Sequence, residues 1–307
     1  MMHLPTLQSI FHPAATDART IAELTSILVI GATLLLAGVC LLLWRAVRRN
    51  AGLVKPLHWI VGGGVVLPLL VLTPLLAFST WRSAELTMPA SQGALAISVT
   101  AKMWWWEVRY PNPQGGQDIV LANEIHLPAG RPVYLSLVSN DVIHSFWVPA
   151  LGGKVDMVPG RPHGMRVQVD QPGRWRGQCA EYCGAQHARM ALFVVAEPPD
   201  QFDAWLAGQA QAATGGQLPG RAVFIAQRCG SCHTVRGVSA AASLGPDLTH
   251  VGSRSHLGAG TVPNHQGALA AWIANPHAVK PGVRMPASND IEPAALQALA
   301  AWLEQLK

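Results

Sequence analysis

Two short runs of cysteine and histidine hold most of the chemistry available to this chain of 307 residues. The first is Cys179-Ala-Glu-Tyr-Cys183-Gly-Ala-Gln-His187-Ala-Arg-Met190, with His144 further upstream. Two thiolates, two imidazoles and a thioether are a copper ligand set, because soft sulfur favours Cu(I) and imidazole suits both oxidation states. One cysteine would describe a mononuclear site. The second, on the same loop, lets both sulfurs bridge two metals. Each copper then takes one histidine, Met190 is a weak axial ligand to one, and a backbone carbonyl, for which Glu181 is placed, serves the other. Such a centre shares its charge and relays electrons with no open position for substrate. The competing reading is a disulfide or thiol-lined loop with incidental His and Met.

The second run, Cys229-Gly-Ser-Cys232-His233, matches the attachment motif of c-type haem. Its thiols add to the haem vinyl groups as thioethers, and the adjacent histidine reaches the iron. Met285, inside Pro281-Gly-Val-Arg-Met-Pro286, could hold its sulfur over the other haem face. A Met/His pair raises the reduction potential and closes both axial positions, so the iron carries electrons and does not bind oxygen. The competing reading is a zinc-binding or redox-active cysteine pair. His250, His256, His265 and His277 read as structural or solvent-exposed, and Cys40 as packing.

Stepping outward, charged residues are 13% and hydrophobic ones 50%, with the apolar excess before residue 82. Residues 21–44 and 57–80 each suffice to cross a hydrocarbon core of about 30 Å. The loop between them holds Arg45, Arg48, Arg49 and Lys55 and no acid, which places it on the cytoplasmic side. A cleaved signal peptide would have a shorter apolar region after its basic cluster. The expected order is therefore an N-terminal segment with a two-helix transmembrane hairpin over 1–81, with both the N-terminus and everything after it on the outer face. Residues 82–207 show short strands with Gly/Pro turns, an all-β sandwich or barrel. Residues 208–220 read as a linker, which if fully flexible reaches roughly 20 Å and predicts mobile docking. Residues 221–307 read as a small all-α module.

Together these features resemble subunit II of the haem-copper cytochrome c oxidases, with a fused C-terminal cytochrome c domain of the caa(3) type. The resemblance rests on the hairpin, the cysteine loop, Asp141-Val-Ile-His144-Ser-Phe-Trp-Val-Pro149, Lys154-Val-Asp-Met-Val-Pro-Gly-Arg161, and the aromatic cluster Trp104-Trp105-Trp106 through Tyr110. It implies a cupredoxin-like fold for residues 82–207 and a dinuclear copper, CuA, on His144, Cys179, Cys183, His187 and Met190 with the Glu181 carbonyl. It further implies that the Glu181 carboxylate helps bind magnesium at the subunit I interface, that electrons reach the copper through Trp104, and that Arg254 and Trp272 contact the haem propionates. The implied partners are subunit I, subunit III, an external donor such as a cytochrome, and membrane lipid of a bacterial-type inner membrane, with no nucleic acid.

Two departures stand out. Trp59 and Val61 occupy the neighbourhood in which many relatives carry an acid near the start of the second span. Residues 82–207 hold 11 Asp/Glu against 10 Lys/Arg, without the acidic surplus that docks a basic cytochrome. A tethered haem explains the second, since a short flexible linker gives an effective concentration of order mM. The module from 218 to 307 has 7 Lys/Arg and 4 Asp/Glu, a net +3, which favours an acidic patch on the donor. Electrons are expected to run from donor to haem c to copper and on to haem in subunit I, where oxygen is reduced to water with proton translocation. A quinol oxidase subunit would lack the copper ligands, a thioredoxin-like copper-delivery protein would lack Met190 and the cytochrome, and a nitrous oxide reductase needs a large propeller.

Overall fold

The computed structural model describes residues 7–48, 55–86, 93–213 and 219–307. Arg49 of the basic loop and 214–218 of the expected linker lie outside the described residues.

The apolar hairpin consists of Thr16–Arg48, then the turn Pro56–His58 running through a π-helical stretch, Trp59–Val66, into Leu67–Leu86. Both helices are long and apolar enough to cross a membrane, and both exceed the spans expected from hydropathy. Polar turns extend them beyond the apolar windows, and Arg82 bonds Glu23 at 2.7 Å between the two. Gly62, Gly63 and Gly64 all fall in the π-helical stretch and Pro74 lies inside the following helix. Main-chain irregularity of this kind is tolerated in membrane helices.

Ten strands build the sandwich: β1 (Leu95–Lys102), β2 (Trp105–Tyr110), β3 (Ile119–Ala122), β4 (Glu124–Pro128), β5 (Val133–Ser139), β6 (His144–Trp147), β7 (Val155–Met157), β8 (His163–Val167), β9 (Gly173–Cys179) and β10 (Ala191–Glu197). They form two five-stranded sheets, in the orders β3-β2-β1-β5-β8 and β4-β10-β9-β6-β7. The β1–β5 and β4–β10 pairs are parallel, the others antiparallel. Alternation along β5, where every second residue is buried, is the period-2 pattern of a strand with one face on the core. Trp106, Val108 and Tyr110 fill the core from β2, while the Tyr110 hydroxyl donates to the His126 carbonyl and accepts from the His126 amide. The helix Pro199–Gln209 caps one end through Phe202, Leu206 and Trp205, whose ring stacks on His126 at 3.9 Å. Residues 7–16 also belong to this body. The Ala14 amide donates to the Ala150 carbonyl, and Ala15 bridges Val169.

The C-terminal module packs Pro219–Ala226, Gln266–Ala274, Pro276–Val279 and Pro293–Gln305 around Phe224, Leu299, Trp302 and Leu303. A two-stranded ribbon pairs β11 (His256–Leu257) with β12 (Val262–Pro263). His265 caps the helix after it by accepting from the Ala268 amide. The expected linker is shorter at both ends, since Gly208 and Gln209 finish one helix and Pro219 and Gly220 begin the next.

The composition of that linker predicts mobile docking, and the structure describes one docked pose of the module on the sandwich. The Ala191 amide donates to the Ala259 carbonyl at 3.0 Å, the Ser255 amide donates to Glu124 at 2.9 Å, and His256 stacks on Phe193 at 4.5 Å. Linker composition reports chain stiffness, whereas this seating arises from contacts distant in sequence.

Gly220 allows the first and last helices of the module to touch, because a Cβ there would stand 2.1 Å from the Ala298 carbonyl oxygen. Gly220→Ala should cost about 1–3 kcal/mol through overpacking. A lowered melting temperature for the module, followed by circular dichroism, checks this, and an unchanged one shows that the helices separate freely.

Candidate metal centre

β9 ends at Cys179 and β10 begins at Ala191, with Gln178 opposite Ala191 in the register. The Cys179 amide donates to the Met190 carbonyl at 2.9 Å, so the loop between them is pinched shut at its neck. Within it, the His187 amide donates to Gly184 and the Met190 amide to His187, forming a tight 3-10 turn over His187–Arg189. Gly184 has φ +107, and a Cβ there would stand 3.2 Å from the Trp104 ring. Glycine thus serves both the left-handed backbone and the close approach. His144 arrives from β6, where Phe146 pairs with Cys179 and the Ala180 amide donates to Ser145.

The result brings every expected copper ligand to one place. Cys179 Sγ lies 3.7 Å from Cys183 Sγ, 3.8 Å from His144 Nδ1 and 3.2 Å from the Glu181 carbonyl oxygen. Cys183 Sγ lies 3.6 Å from His187 Nδ1 and 3.9 Å from Met190 Sδ. His144, Cys179, Cys183 and Met190 are buried, and the donor atoms of the first three fall within 4.8 Å of one another, the one such group among the described residues. Two sulfurs at this separation, flanked by imidazole nitrogens, fit a pair of soft cations better than a disulfide, whose sulfurs stand about 2.05 Å apart.

Charge is already biased toward that state. The hydrogen bond from Cys183 holds the Cys179 thiol well below the usual thiol range. Cys183 is pushed up by the same interaction, so one thiolate forms readily and the second proton leaves only against positive charge. Burial works against a charged His144, but its contacts with Cys179 and Asp141 outweigh that and raise its pKa. Asp141 accepts from His144 Nε2 at 2.8 Å and from the Met103 amide at 2.7 Å, which turns the Nδ1 lone pair toward the sulfurs. Reading the ligands alone misses Asp141, although its position three residues before His144 was visible.

Trp104 stands beside the loop, its indole Nε1 donating to the Cys183 carbonyl at 2.8 Å. Trp106 is core, edge-on to His144 and Phe146. The Glu181 carboxylate is 3.2 Å from Lys154 Nζ, an ammonium that a magnesium ion would have to displace.

In the C-terminal module, Cys229 and Cys232 sit at the end of a short turn, both free thiols and half-buried. His233 Nδ1 donates to the Pro246 carbonyl at 2.7 Å, and its ring lies where a Cβ on Gly245 would collide. Burial lowers its pKa. A neutral imidazole with Nδ1 committed presents the Nε2 lone pair, as an iron ligand must. Met285 and Cys229 border one apolar cluster with Phe224, Leu269 and Trp302. That donor set fits haem c. Arg254 bonds the Asp247 carbonyl, and the Trp272 ring covers Gly258.

Two family descriptions match parts of this chain: the periplasmic domain of cytochrome c oxidase subunit II over residues 114–197, and cytochrome c over residues 218–307. Cytochrome c oxidase subunit 2 of Alkalihalophilus pseudofirmus is 38% identical over 69% of this chain and 61% of its own length. The protein of that name from Bacillus sp. (strain PS3) is 30% identical over 79% of this chain and 72% of its own length. The chain thus spans between about three fifths and three quarters of these relatives. A crystal structure of the periplasmic domain of subunit II of cytochrome oxidase of Bradyrhizobium japonicum is 29% identical, with a TM-score of 0.36, covering 40% of this chain and 96% of that one.

Asp141→Asn should weaken metal retention by about 10–100-fold, because the His144 ring loses its fixed orientation. Competition against a copper chelator measures this, and an unchanged affinity would make the Asp141 contact incidental.

Proposed function

The chain belongs to the cytochrome c oxidase subunit 2 family, and we propose that it is the electron-input subunit of a terminal oxidase whose oxygen-reducing site lies in subunit I. The observation that carries this reading is the convergence of His144, Cys179, the Glu181 carbonyl, Cys183, His187 and Met190 around one pair of sulfurs. When bound, the dinuclear copper CuA and one covalent haem c supply one-electron carriers with no vacant position for oxygen.

The protein groups hold and orient. Cys179 and Cys183 provide the shared sulfurs, His144 and His187 each offer Nδ1, and Met190 and the Glu181 carbonyl complete the two ends. Asp141 fixes the His144 tautomer, and burial of the sulfurs keeps water from the site. Cys229 and Cys232 would hold the haem through their sulfurs, His233 and Met285 would offer ligands to its iron, and the Pro246 carbonyl orients His233. Trp104 lies between the sites, with its indole on the Cys183 carbonyl, and passes electrons from the haem module to the copper loop. From there electrons go to haem in subunit I, where oxygen becomes water and the complex moves protons. The external donor reduces the haem module. Subunit III is a further partner.

Exposed Val142, Ile143 and Tyr182 ring the ligand loop and suit a partner subunit at that face. Residues 7–16 bond to the sandwich, which supports a topology with both on one side of the membrane. The basic residues between the spans put that side outward, on the periplasmic face of an inner membrane. A magnesium ion on Glu181 remains part of this reading only if subunit I draws Lys154 away.

The test is metal analysis with electron paramagnetic resonance on the purified chain in its complex. Two coppers sharing one unpaired electron, beside one low-spin covalent haem, are expected. A single copper, or none retained, would overturn the reading in favour of a copper-delivery or redox protein with a fused cytochrome. Cys183→Ser should abolish the dinuclear signal yet leave the haem absorption bands in place, and Cys232→Ser should do the reverse. Loss of both signals in either variant would mean that the two sites are not separately built.

A further inference from the structure

Lys280 is 1% exposed, and it belongs to the C-terminal module, yet its ammonium is committed to the sandwich as well. Nζ donates to the Trp104 carbonyl at 2.6 Å and to the Gly258 carbonyl at 3.1 Å. The same stretch of the module is held at two neighbouring points. Gln186, buried and next to His187, donates to the Pro281 carbonyl at 2.7 Å, and Arg189 donates to the Val279 carbonyl. Gly282, at φ +83, lies over the Trp104 ring, where a Cβ would stand 3.9 Å away.

We propose that Lys280 is a positioning residue, a latch that fixes the Met285-bearing loop of the haem module onto Trp104 and the copper loop and thereby covers the Trp104 face. The proposal rests on the copper and haem assignment above. Trp104 is bonded on both sides: its indole holds the Cys183 carbonyl, and its own carbonyl receives Lys280. One residue therefore ties together the segment carrying a sulfur ligand of one centre and the loop carrying an axial ligand of the other. The step to be served moves one electron from haem iron, which is oxidised, to the copper pair, which is reduced. No bond breaks and no proton moves. What the protein must provide is a reproducible pose.

A buried ammonium directed at main-chain carbonyls suits that task. Burying it without acceptors is unfavourable, so the seated arrangement that supplies both carbonyls is strongly preferred over nearby misdocked ones. Removing the donor takes Lys280 away from the Trp104 carbonyl, while the Gly258 carbonyl keeps the Thr261 hydroxyl at 2.6 Å. A second consequence follows for the donor. With residues 279–282 across Trp104, a soluble cytochrome has to address the haem module and not the copper face.

The experiment uses the full oxidase complex with Lys280→Met, which keeps length and removes the donor. Hydrogen exchange in peptides covering 102–106 and 279–283 should rise by about tenfold or more as the latch opens. After rapid reduction of the haem by a small-molecule reductant, haem-to-copper transfer should slow by about tenfold or more. It should also become dependent on solvent viscosity, while the reduction of the haem itself is unchanged. Exchange and transfer identical to the parent would overturn the latch, as would viscosity dependence already present in the parent. If the parent shows no two-copper signal, the assignment of the centre fails instead, a result distinct from loss of the latch alone. Should Lys280→Met fail to incorporate haem, Lys280→Gln, which keeps a shorter polar side chain at the same position, must raise exchange at 102–106 and 279–283; no rise there overturns the proposal.

Discussion

Backbone pairing of β9 with β10 closes the neck of the 179–190 loop, with the Cys179 amide on the Met190 carbonyl. Because the two strands run antiparallel, residues far apart along the loop must return to the same place. The loop has little freedom in how it does so, given the 3-10 turn at His187–Arg189 and the left-handed Gly184. The sulfur of Cys179 and the sulfur of Met190 therefore both end beside Cys183, with the His187 ring turned in. β6 contributes His144 from the same sheet through its pairing with Cys179's own strand. The cluster of expected ligands is thus a property of the ends of three adjacent interior strands, β10, β9 and β6, held by main-chain hydrogen bonds that no side chain has to provide.

That arrangement puts charge where water is scarce. Two buried sulfurs 3.7 Å apart cannot both ionise without a counter-charge, which is the sense of one thiol falling and the other rising. A pair of cations removes the conflict, since metal binding displaces the protons that the bare site retains. Asp141 balances the far side by accepting from His144, so the imidazole is aligned without a search among rotamers. The haem module solves a parallel problem with a neutral partner: the Pro246 carbonyl orients His233 while burial disfavours its protonation. In both clusters the imidazole expected to be a ligand is aimed by a second group, Asp141 for His144 and the Pro246 carbonyl for His233.

Much of this was legible in the residues because the ligands are local. Cysteine spacing, the soft donor set and the attachment motif single out both clusters of residues, and alternation in Leu95–Thr100 and Gly164–Val169 marks strands of the sandwich. The spans were legible as apolar runs, although their polar ends extend the helices further than hydropathy alone implies. What was not legible depends on contacts between distant segments. Asp141 offered a signal in its spacing from His144, but Lys280 and Gln186 offered none, since a lysine and a glutamine in loops are ordinarily solvated. The docked pose was not legible in the linker for the same reason. Its small and polar residues describe a chain with few local preferences, while the seating of the module depends on Ser255 meeting Glu124 and His256 meeting Phe193.

Those contacts also explain how a sandwich of nearly balanced charge manages without long-range attraction for its electron source. Steering by opposite patches raises encounter rates but leaves orientation loose and weakens with salt. A tether removes the need for encounter, because effective concentration is set by linker reach. What remains is selection among docked poses, and short-range polar contacts are suited to it. Glu124 is buried and accepts from the Ser255 amide, and Arg174, lying over Phe193, reaches the Ser255 hydroxyl. Each such group loses its water on docking and regains a partner only in register. A displaced pose would take Glu124 from the Ser255 amide and Lys280 from the Trp104 carbonyl together. Fusion of the two domains in one chain and the burial of these few polar groups thus act on different quantities, the first on how often the domains meet and the second on how they face each other when they do.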